Sequence, residues 1–198
     1  METELFGRET SEILVKLPAG TRVGIIGSTS FWHRESGETC TALGRELAAL
    51  DGVVLITGGV EGVGEAVGRS FWVARGGGGK GRPHIFHILP HGSLRWDYGE
   101  TLFGGSDMEE RREILARLAG IYVAVEGGPG TAHETSIALA RSAFVVPVGR
   151  SWRALSRSLS ADPPTVLRCR TVVAHTRQCR RSSNGRSGCS HRHRSRVS

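Results

Sequence analysis

The sequence predicts an α/β fold built on a doubly wound parallel sheet, and three observations lead to this expectation. Short apolar runs of five or six residues are typical of strands that a sheet buries on both faces. Segments with helical spacing of apolar residues separate these runs, which favours parallel strands joined by crossovers. Glycine-rich turns follow three of the runs. Since ligands bind beyond the carboxyl ends of strands in such sheets, the three turns are expected to converge on one crevice.

The apolar runs place the strands, and the spacing of leucine and other apolar residues places the helices. The predicted strands are 22–26, 53–57, 84–89, 121–125 and 143–148. The predicted helices are 38–50, 65–74, 108–118 and 132–141. Ser36 is predicted to cap the first of these helices. The segment 90–105 is rich in glycine and aromatic residues, and it is predicted to be an irregular loop over a site.

Composition divides the chain of 198 residues into three segments. Residues 1–20 are a polar lead-in with the pattern of a frayed helix, 21–150 form the α/β domain, and 151–198 form a basic, low-complexity tail. The tail holds eleven Arg and one acidic residue, so within the total formal charge of +7 the first 150 residues carry about −3. Its composition is typical of a disordered arm. Such an arm can contact nucleic acid nonspecifically through phosphates, but we do not expect this to be the function.

The sequence also bears on compartment and metal binding. It contains no apolar run of about 18 residues, so no membrane span is expected. The first twelve residues are acidic and lack the apolar core of a secretory signal. The four cysteines do not form a disulfide framework, and the three in the tail lack the spacing of a zinc site. We therefore expect a cytoplasmic protein that binds no metal.

The turn at 127–131, with the sequence GGPGT, indicates an anion site. It is too rich in glycine to continue the strand before it, and it exposes backbone N–H groups at the start of the next helix. A helix start of this kind binds anions. Glu134 lies about one turn into that helix, so its carboxylate should point back to the same mouth. No Gly-Lys-Ser/Thr follows, which excludes a Walker loop. A tight turn without a ligand would have the same composition.

Two adjacent arginines precede this turn on the helix that starts at Met108. Neighbouring helical residues diverge in direction, so Arg111 and Arg112 are not expected to face the same point. A solvated helix face among Glu109, Glu110 and Glu113 is the alternative, and it suits Arg112 better than Arg111.

The segments MEERRE and GGPGTAHE resemble the linked MxxRK and PGGxGTxxE motifs of the LOG (lonely guy) family, long described as lysine decarboxylases. The Thr-Gly-Gly, Gly-Val and Glu-Ala-Val elements between 57 and 67 are similar to the molybdenum-cofactor-carrier branch of the same superfamily. The resemblance covers about 21–150 and implies a Rossmann-like domain that forms a homodimer. It implies either of two functions, cleavage of nucleoside 5′-monophosphates to base and ribose 5-phosphate, or non-catalytic carriage or sensing of a phosphorylated ligand such as the molybdenum cofactor.

By resemblance, Arg111 and Glu134 are the catalytic residues of a hydrolase that needs neither a metal nor a redox cofactor. Glu134 would orient ribose hydroxyls or stabilise an oxocarbenium-like state. The residues expected to bind the ligand or its phosphate are Gly27, Ser28, Gly58, Gly59, Gly62, Arg112, Gly127, Gly128, Gly130 and Thr131.

The chain departs from the LOG pattern at four positions. Glu126 stands where those enzymes have Pro, His133 where they have Glu, Gly64 where Met is usual, and Arg112 where Lys is usual. A carboxylate beside a phosphate site lowers affinity unless a cation offsets it. These departures bear on hydrolysis more than on binding, and Glu126 favours the carrier branch.

Aromatic and histidine residues also lie in the loops near the predicted crevice. Such a ring can stack on a base or can simply pack within its loop, and the sequence favours neither. The residues concerned are Trp32, His33, His91, Trp96 and Tyr98.

Overall fold

The computed structural model of the chain describes residues 2–77 and 84–148. It confirms the doubly wound α/β fold, with a six-stranded parallel sheet in the order β4-β3-β2-β1-β5-β6. The strands are β1 (Thr21–Gly27), β2 (Val53–Thr57), β3 (Ile85–Leu89), β4 (Glu100–Phe103), β5 (Ile121–Val125) and β6 (Phe144–Val148). The helices are α1 (Glu2–Lys16), α2 (Ser36–Ala49), α3 (Val63–Ala74), α4 (Met108–Leu115) and α5 (Pro129–Ala140).

Two apolar layers cover the two faces of the sheet, because alternate side chains of each strand point to opposite faces. On one face Ile26 and Ile56 pack with buried residues of α1, α4 and α5. On the other face Ile25 and Leu55 pack with buried residues of α2 and α3. This double burial explains why the strands read as unbroken apolar runs.

The prediction that 90–105 is an irregular loop was wrong, since the sheet has a sixth strand there. β4 pairs in parallel with β3, with Phe86 opposite Glu100 and Leu89 opposite Phe103. The four residues of β4 form an edge strand that pairs with β3 on one side. Their short, mixed sequence therefore carries no strand pattern of its own, and pairing with β3 decides the conformation.

The segment predicted as a polar lead-in forms the long helix α1, which packs on the core. Ile13 and Leu17 are buried in the same apolar layer as β1 and β2. Glu9 of this helix accepts a hydrogen bond from the backbone N–H of Gly105 at 2.8 Å. Phe6 and Leu14 pack partly buried against the same layer, so apolar contacts attach a helix that is largely polar.

The predicted cap of α2 was also wrong. The helix begins at Ser36 itself, the N-cap position is Glu35, and no side chain caps the helix. The Ser36 hydroxyl instead donates a hydrogen bond to the carboxylate of Glu126. The hydroxyl that the local sequence assigned to the start of α2 therefore bonds to Glu126, a residue distant in sequence.

The predicted disordered tail, 151–198, and the glycine run at 78–81 lie outside the described residues. Within 2–77 and 84–148, no helix combines the length and the apolar character that crossing a membrane requires.

We predict that Ile13→Ala lowers the free energy of unfolding by about 2–5 kcal/mol, because it removes a fully buried side chain from the core. Val15 is the matched control on the same helix, with 86% of its surface exposed. Val15→Ala should change stability by no more than about 0.5 kcal/mol. Urea denaturation measures both variants, and equal stabilities would show that α1 does not pack as described.

Candidate functional site

A cavity of about 300 Å³ opens where β1, β2 and β5 end. The ends of these strands, α4 and the start of α5 form its walls. This volume lies at the lower end of the range for small-molecule sites. The crevice therefore forms at the predicted edge of the sheet.

Nine of the predicted site residues line this cavity. They are Gly27, Ser28, Gly58, Arg111, Arg112, Gly128, Gly130, Thr131 and Glu134. The lining also includes residues that the sequence did not single out for the site, namely Ile25, Ile26, Thr29, Ser30, Val60, Gly64, Met108, Leu115 and Pro129. Most of these residues belong to the same turns and helices as the predicted ones. Their position directly after a strand or in α4 was therefore the sequence feature that could have indicated them.

Three predicted glycines lie outside the lining, where their conformation shapes the turns. The φ values of these residues, 59° at Gly59, 83° at Gly62 and 144° at Gly127, are rarely adopted by residues other than glycine. A Cβ at Gly127 would lie 2.4 Å from the side chain of Thr131. Gly127 thus allows the chain to turn tightly into α5.

The start of α5 has the features of an anion site. Gly128 is its N-cap, Pro129 lies in the first turn, no side chain caps the helix, and the first turn contains no acidic residue. The first N–H groups of a helix have no partner within the helix, and the helix dipole places positive potential there. Gly128, Gly130 and Thr131 of this helix start line the cavity.

Helix α4 carries both arginines, and contacts at each of its ends fix its position. The carboxylate of Asp107 accepts hydrogen bonds from the backbone N–H groups of Glu109 and Glu110, at 2.8 and 2.9 Å. At the other end the Tyr122 hydroxyl of β5 donates to the carbonyl of Leu115 at 2.8 Å. The helix is therefore attached to the strand that leads into the glycine turn.

Arg111 is one of the residues that line the cavity. Its side chain is only 3% exposed, and its Nη1 donates to Oε1 of Glu134 at 3.0 Å. A Cβ at Gly58 would lie 2.6 Å from that Nη1, so glycine is needed for the guanidinium to lie against the second turn. The buried Nε has no hydrogen-bond partner among the described residues.

Burial shifts the pKa of both members of this pair. It raises the pKa of Glu134, against the opposing effect of Arg111 and Arg112, and it lowers the pKa of Arg111. A guanidinium does not lose its proton in proteins. Arg111 therefore remains a cation, and its positive charge attracts the carboxylate of Glu134 at the cavity wall.

Arg112 diverges from Arg111 as predicted, yet it also lines the cavity. Its guanidinium lies over the third turn, since a Cβ at Gly130 would be 3.2 Å from its Nε. The two adjacent arginines thus reach two different turns. With Glu134 as the acidic residue of the lining, they give the wall a formal charge of +1.

Glu126 does not line the cavity, although it immediately precedes the glycine turn. Its buried carboxylate accepts hydrogen bonds from the Ser28 hydroxyl at 3.1 Å and the Trp32 backbone N–H at 3.0 Å, as well as from Ser36. Burial raises its pKa, but the hydrogen bonds from Ser36, Trp32 and Ser28 outweigh this, and the net pKa is below its usual value. Its charge is thus engaged by the loop after β1.

The aromatic residues divide into two groups. Trp32 lines the cavity, with 48% of its surface exposed. Trp96 and Tyr98 instead pack around the buried His87, with ring centroids at 5.6 and 4.7 Å. For these two, loop packing is the interpretation that the structure supports.

His87 belongs to a buried hydrogen-bonded chain beneath the second turn. Its Nε2 lies 3.1 Å from the carbonyl of Tyr98, and its Nδ1 lies 2.8 Å from the Thr57 hydroxyl. That hydroxyl accepts a hydrogen bond from the N–H of Gly59 at 3.2 Å. A carbonyl only accepts, so Nε2 carries the proton and Nδ1 accepts from Thr57. Burial lowers the pKa of His87 to about 4, and the ring is neutral at pH 7.

Within 2–77 and 84–148, no group of three or more His, Cys, Asp or Glu residues is arranged so that it could hold a metal ion.

The model of the SLOG cluster4 family matches residues 20–175. The match continues past residue 150 into residues that the structure does not describe. No curated protein matches the chain.

Solved structures with the same fold include molybdenum cofactor proteins. The molybdenum cofactor carrier protein from Chlamydomonas reinhardtii is 26% identical, with a TM-score of 0.54 over 65% of this chain and 76% of its own. The structural-genomics target TM1055 is 28% identical, with a TM-score of 0.54 over 63% and 72%. The molybdenum cofactor binding protein from Rippkaea orientalis is 23% identical, with a TM-score of 0.55 over 70% and 82%, and this likeness concerns the fold alone.

We predict that Arg111→Met or Glu134→Leu alone lowers the free energy of unfolding by about 3–5 kcal/mol, because each leaves a buried charge without its partner. The double variant should be more stable than either single one. The exposed pair Arg8–Glu12, at 3.1 Å, is the control, and Arg8→Met with Glu12→Leu should cost no more than about 1 kcal/mol. Additive effects at Arg111 and Glu134 in urea denaturation would contradict the buried pair.

We predict that His87 makes stability depend on pH between about 4 and 6.5. The unfolded chain takes up a proton on this residue near pH 6.5, whereas the folded protein does so only near pH 4. Stability is therefore complete above pH 6.5 and falls by up to about 3 kcal/mol as pH decreases to 4. His87→Gln should flatten this slope in urea titrations, and the exposed His84→Gln should keep it. An unchanged slope in His87→Gln would show that another group is responsible.

Proposed function

Because the chain belongs to the SLOG cluster4 family, we propose that it binds a phosphorylated small molecule in the cavity at the carboxyl ends of β1, β2 and β5. The observation that carries this proposal is that Arg111, Arg112 and the start of α5, a helix without a side-chain cap, all line one cavity. The two guanidinium groups and the positive end of the helix dipole place positive potential there. An anion in the cavity would be attracted by all three.

The charges around the cavity support a phosphate in particular. Arg111 lies against the second turn and Arg112 against the third, and the start of α5 adds backbone N–H groups that no side chain caps. Planar guanidinium groups and helix N-termini both suit phosphate oxygens. Thr131 lines the same cavity and adds a hydroxyl donor. Glu134 can accept hydrogen bonds from hydroxyl groups of the ligand.

One candidate activity is hydrolysis of nucleoside 5′-monophosphates, and the contact between Arg111 and Glu134 favours it. In this reaction the bond from ribose C1′ to the base nitrogen breaks, and its electron pair leaves with the base, which takes up a proton. Water adds to C1′ and loses a proton, giving ribose 5-phosphate. Glu134 would stabilise the positive charge that develops at C1′, and Arg111 would hold the phosphate or the leaving side.

The second candidate is carriage or sensing without catalysis, and the neighbour from Chlamydomonas, a molybdenum cofactor carrier, favours it. A Glu134 carboxylate that stays paired with Arg111 would serve to hold the guanidinium in place for a phosphate. The ligand would then be released unchanged. The same cavity residues support both candidates, so a test for base release from the ligand is needed to distinguish them.

Three further expectations remain proposals. The resemblance implies a homodimer, which analytical ultracentrifugation would measure. Composition implies a cytoplasmic location and a nonspecific contact of residues 151–198 with nucleic acid. The last of these should weaken steeply with salt.

We predict that nucleoside 5′-monophosphates bind to the wild type and raise its melting temperature. If the protein is a hydrolase, it releases free base, and Glu134→Gln abolishes release while still binding, because the amide keeps the shape of the side chain and removes its charge. If it is a carrier, no base is released by either protein, and Glu134→Gln binds phosphate as well or more tightly. Chromatographic detection of free base and thermal denaturation give the two readouts.

Arg112→Gln supplies the site control for this experiment. It should reduce ligand affinity about 10- to 100-fold, since a charge-assisted hydrogen bond contributes about 1.5–3 kcal/mol. Arg8→Gln removes the same charge from an exposed position outside the lining and should not change affinity. The proposed function would be contradicted if no base were released and if neither the nucleoside monophosphates nor the molybdenum cofactor shifted the melting temperature.

A further inference from the structure

Resting on the proposed function, we propose that Trp32 recognises a planar ring of the ligand, and that Glu126 is the positioning residue that holds Trp32 over the cavity. The ligand class is then a phosphate ester that carries an aromatic heterocycle. The arginines and the start of α5 bind its phosphate, and the indole of Trp32 stacks on its ring.

The first support is the place of Trp32 in the cavity wall. The lining residues on α4 and α5 include both arginines and the uncapped helix start, whereas Trp32 is the aromatic residue of the lining and comes from the loop after β1. Nearly half of this side chain is exposed. An indole face beside a polar cavity suits a flat ring, because stacked rings gain both apolar burial and favourable quadrupole contacts.

The second support is the way in which one carboxylate holds the whole loop. Glu126 accepts hydrogen bonds from the first residue after β1 (Ser28), from the backbone of Trp32, and from the first residue of α2 (Ser36). Carboxylate hydrogen bonds are stronger than neutral ones. The loop therefore has its beginning, middle and end tied to a single buried group.

The third support is the backbone of Glu126 itself. Its φ of 54° lies in the left-handed region, which costs energy for a residue with a side chain and is often found at functional sites. Directly after it come Gly127 and Gly128, which lead into the start of α5. The residue that ties down the Trp32 loop is thus part of the turn that is proposed to bind phosphate.

Phe31 shows that the orientation of Trp32 is specific. The two neighbours are similarly exposed, at 44% and 48%. The Phe31 ring packs over α2, where a Cβ at Gly37 would lie 3.5 Å from it. Only Trp32 of the pair lines the cavity. Phe31 is therefore a matched control, an aromatic residue in the same loop that should not contact the ligand.

The experiment compares ligands with and without a ring, by calorimetric titration of the full chain. Nucleoside 5′-monophosphates and neopterin phosphate have the ring, and ribose 5-phosphate and glycerol 3-phosphate lack it. Trp32→Leu should weaken binding of the ring-bearing ligands about 5- to 150-fold, the range for loss of one base–aromatic stack. Binding of the ring-free phosphates should stay unchanged, and Phe31→Leu should affect neither class. If the wild type hydrolyses a nucleotide, the titrations use the Glu134→Gln background.

Glu126→Gln tests the positioning role. A role in positioning Trp32 and a role through charge alone predict opposite changes in the affinity for ring-bearing ligands. Removing a negative charge near the phosphate should raise the affinity for every phosphate if charge alone matters. If Glu126 positions Trp32, affinity falls for ring-bearing ligands while ring-free phosphates bind as well or better. The ratio of the two affinities separates this role from a general loss of fold, which would weaken both classes.

Three outcomes would overturn the inference in distinguishable ways. If the wild type binds no phosphate ligand of either class, the proposed function fails, and the role of Trp32 fails with it. If both classes bind but Trp32→Leu weakens them equally, Trp32 only closes the cavity. If Glu126→Gln strengthens both classes equally, Glu126 acts by charge and does not position the ring.

Discussion

The buried ion pair between Arg111 and Glu134 is the interaction on which the site depends. A guanidinium that is 3% exposed is costly unless a carboxylate and other acceptors surround it. Glu134 provides one acceptor, and Gly58 provides the space in which the cation lies. The pair therefore joins α4, α5 and the turn after β2 at one point. The positive charges that line the cavity at this point, from Arg111, Arg112 and the start of α5, are the reason for placing an anion there.

A second buried carboxylate, Glu126, organises the other side of the cavity. Its position next to a phosphate site looked unfavourable in sequence, because like charges repel. In the structure its oxygens are occupied by donors from the loop after β1. The two carboxylates thus have different tasks. Glu134 holds a cation at the cavity wall, and Glu126 holds a loop beside it.

The membership of the LOG-like superfamily and the α/β fold were both predicted from sequence and are confirmed. Strands β2 and β5 have the predicted limits, since buried apolar runs leave little ambiguity. The glycine turns were found because their sequences are too rich in glycine to continue a strand or a helix. Nine predicted site residues line the cavity, whereas Gly59, Gly62 and Gly127 shape the turns. Ligand binding by these residues remains a proposal.

The sequence by itself determined the alternation of five of the six described strands with four of the five described helices, the glycine-rich start of α5 and the divergence of Arg111 from Arg112. These properties follow from apolar periodicity, glycine content and helix geometry, which act within a few residues. Only the tertiary structure decided that β4 is a strand, that α1 packs on the core, and that Ser36 serves Glu126 and not its own helix. Each of these depends on a partner that is distant in sequence. Ser36 and Glu126, for example, are 90 residues apart, and no local pattern records such a contact.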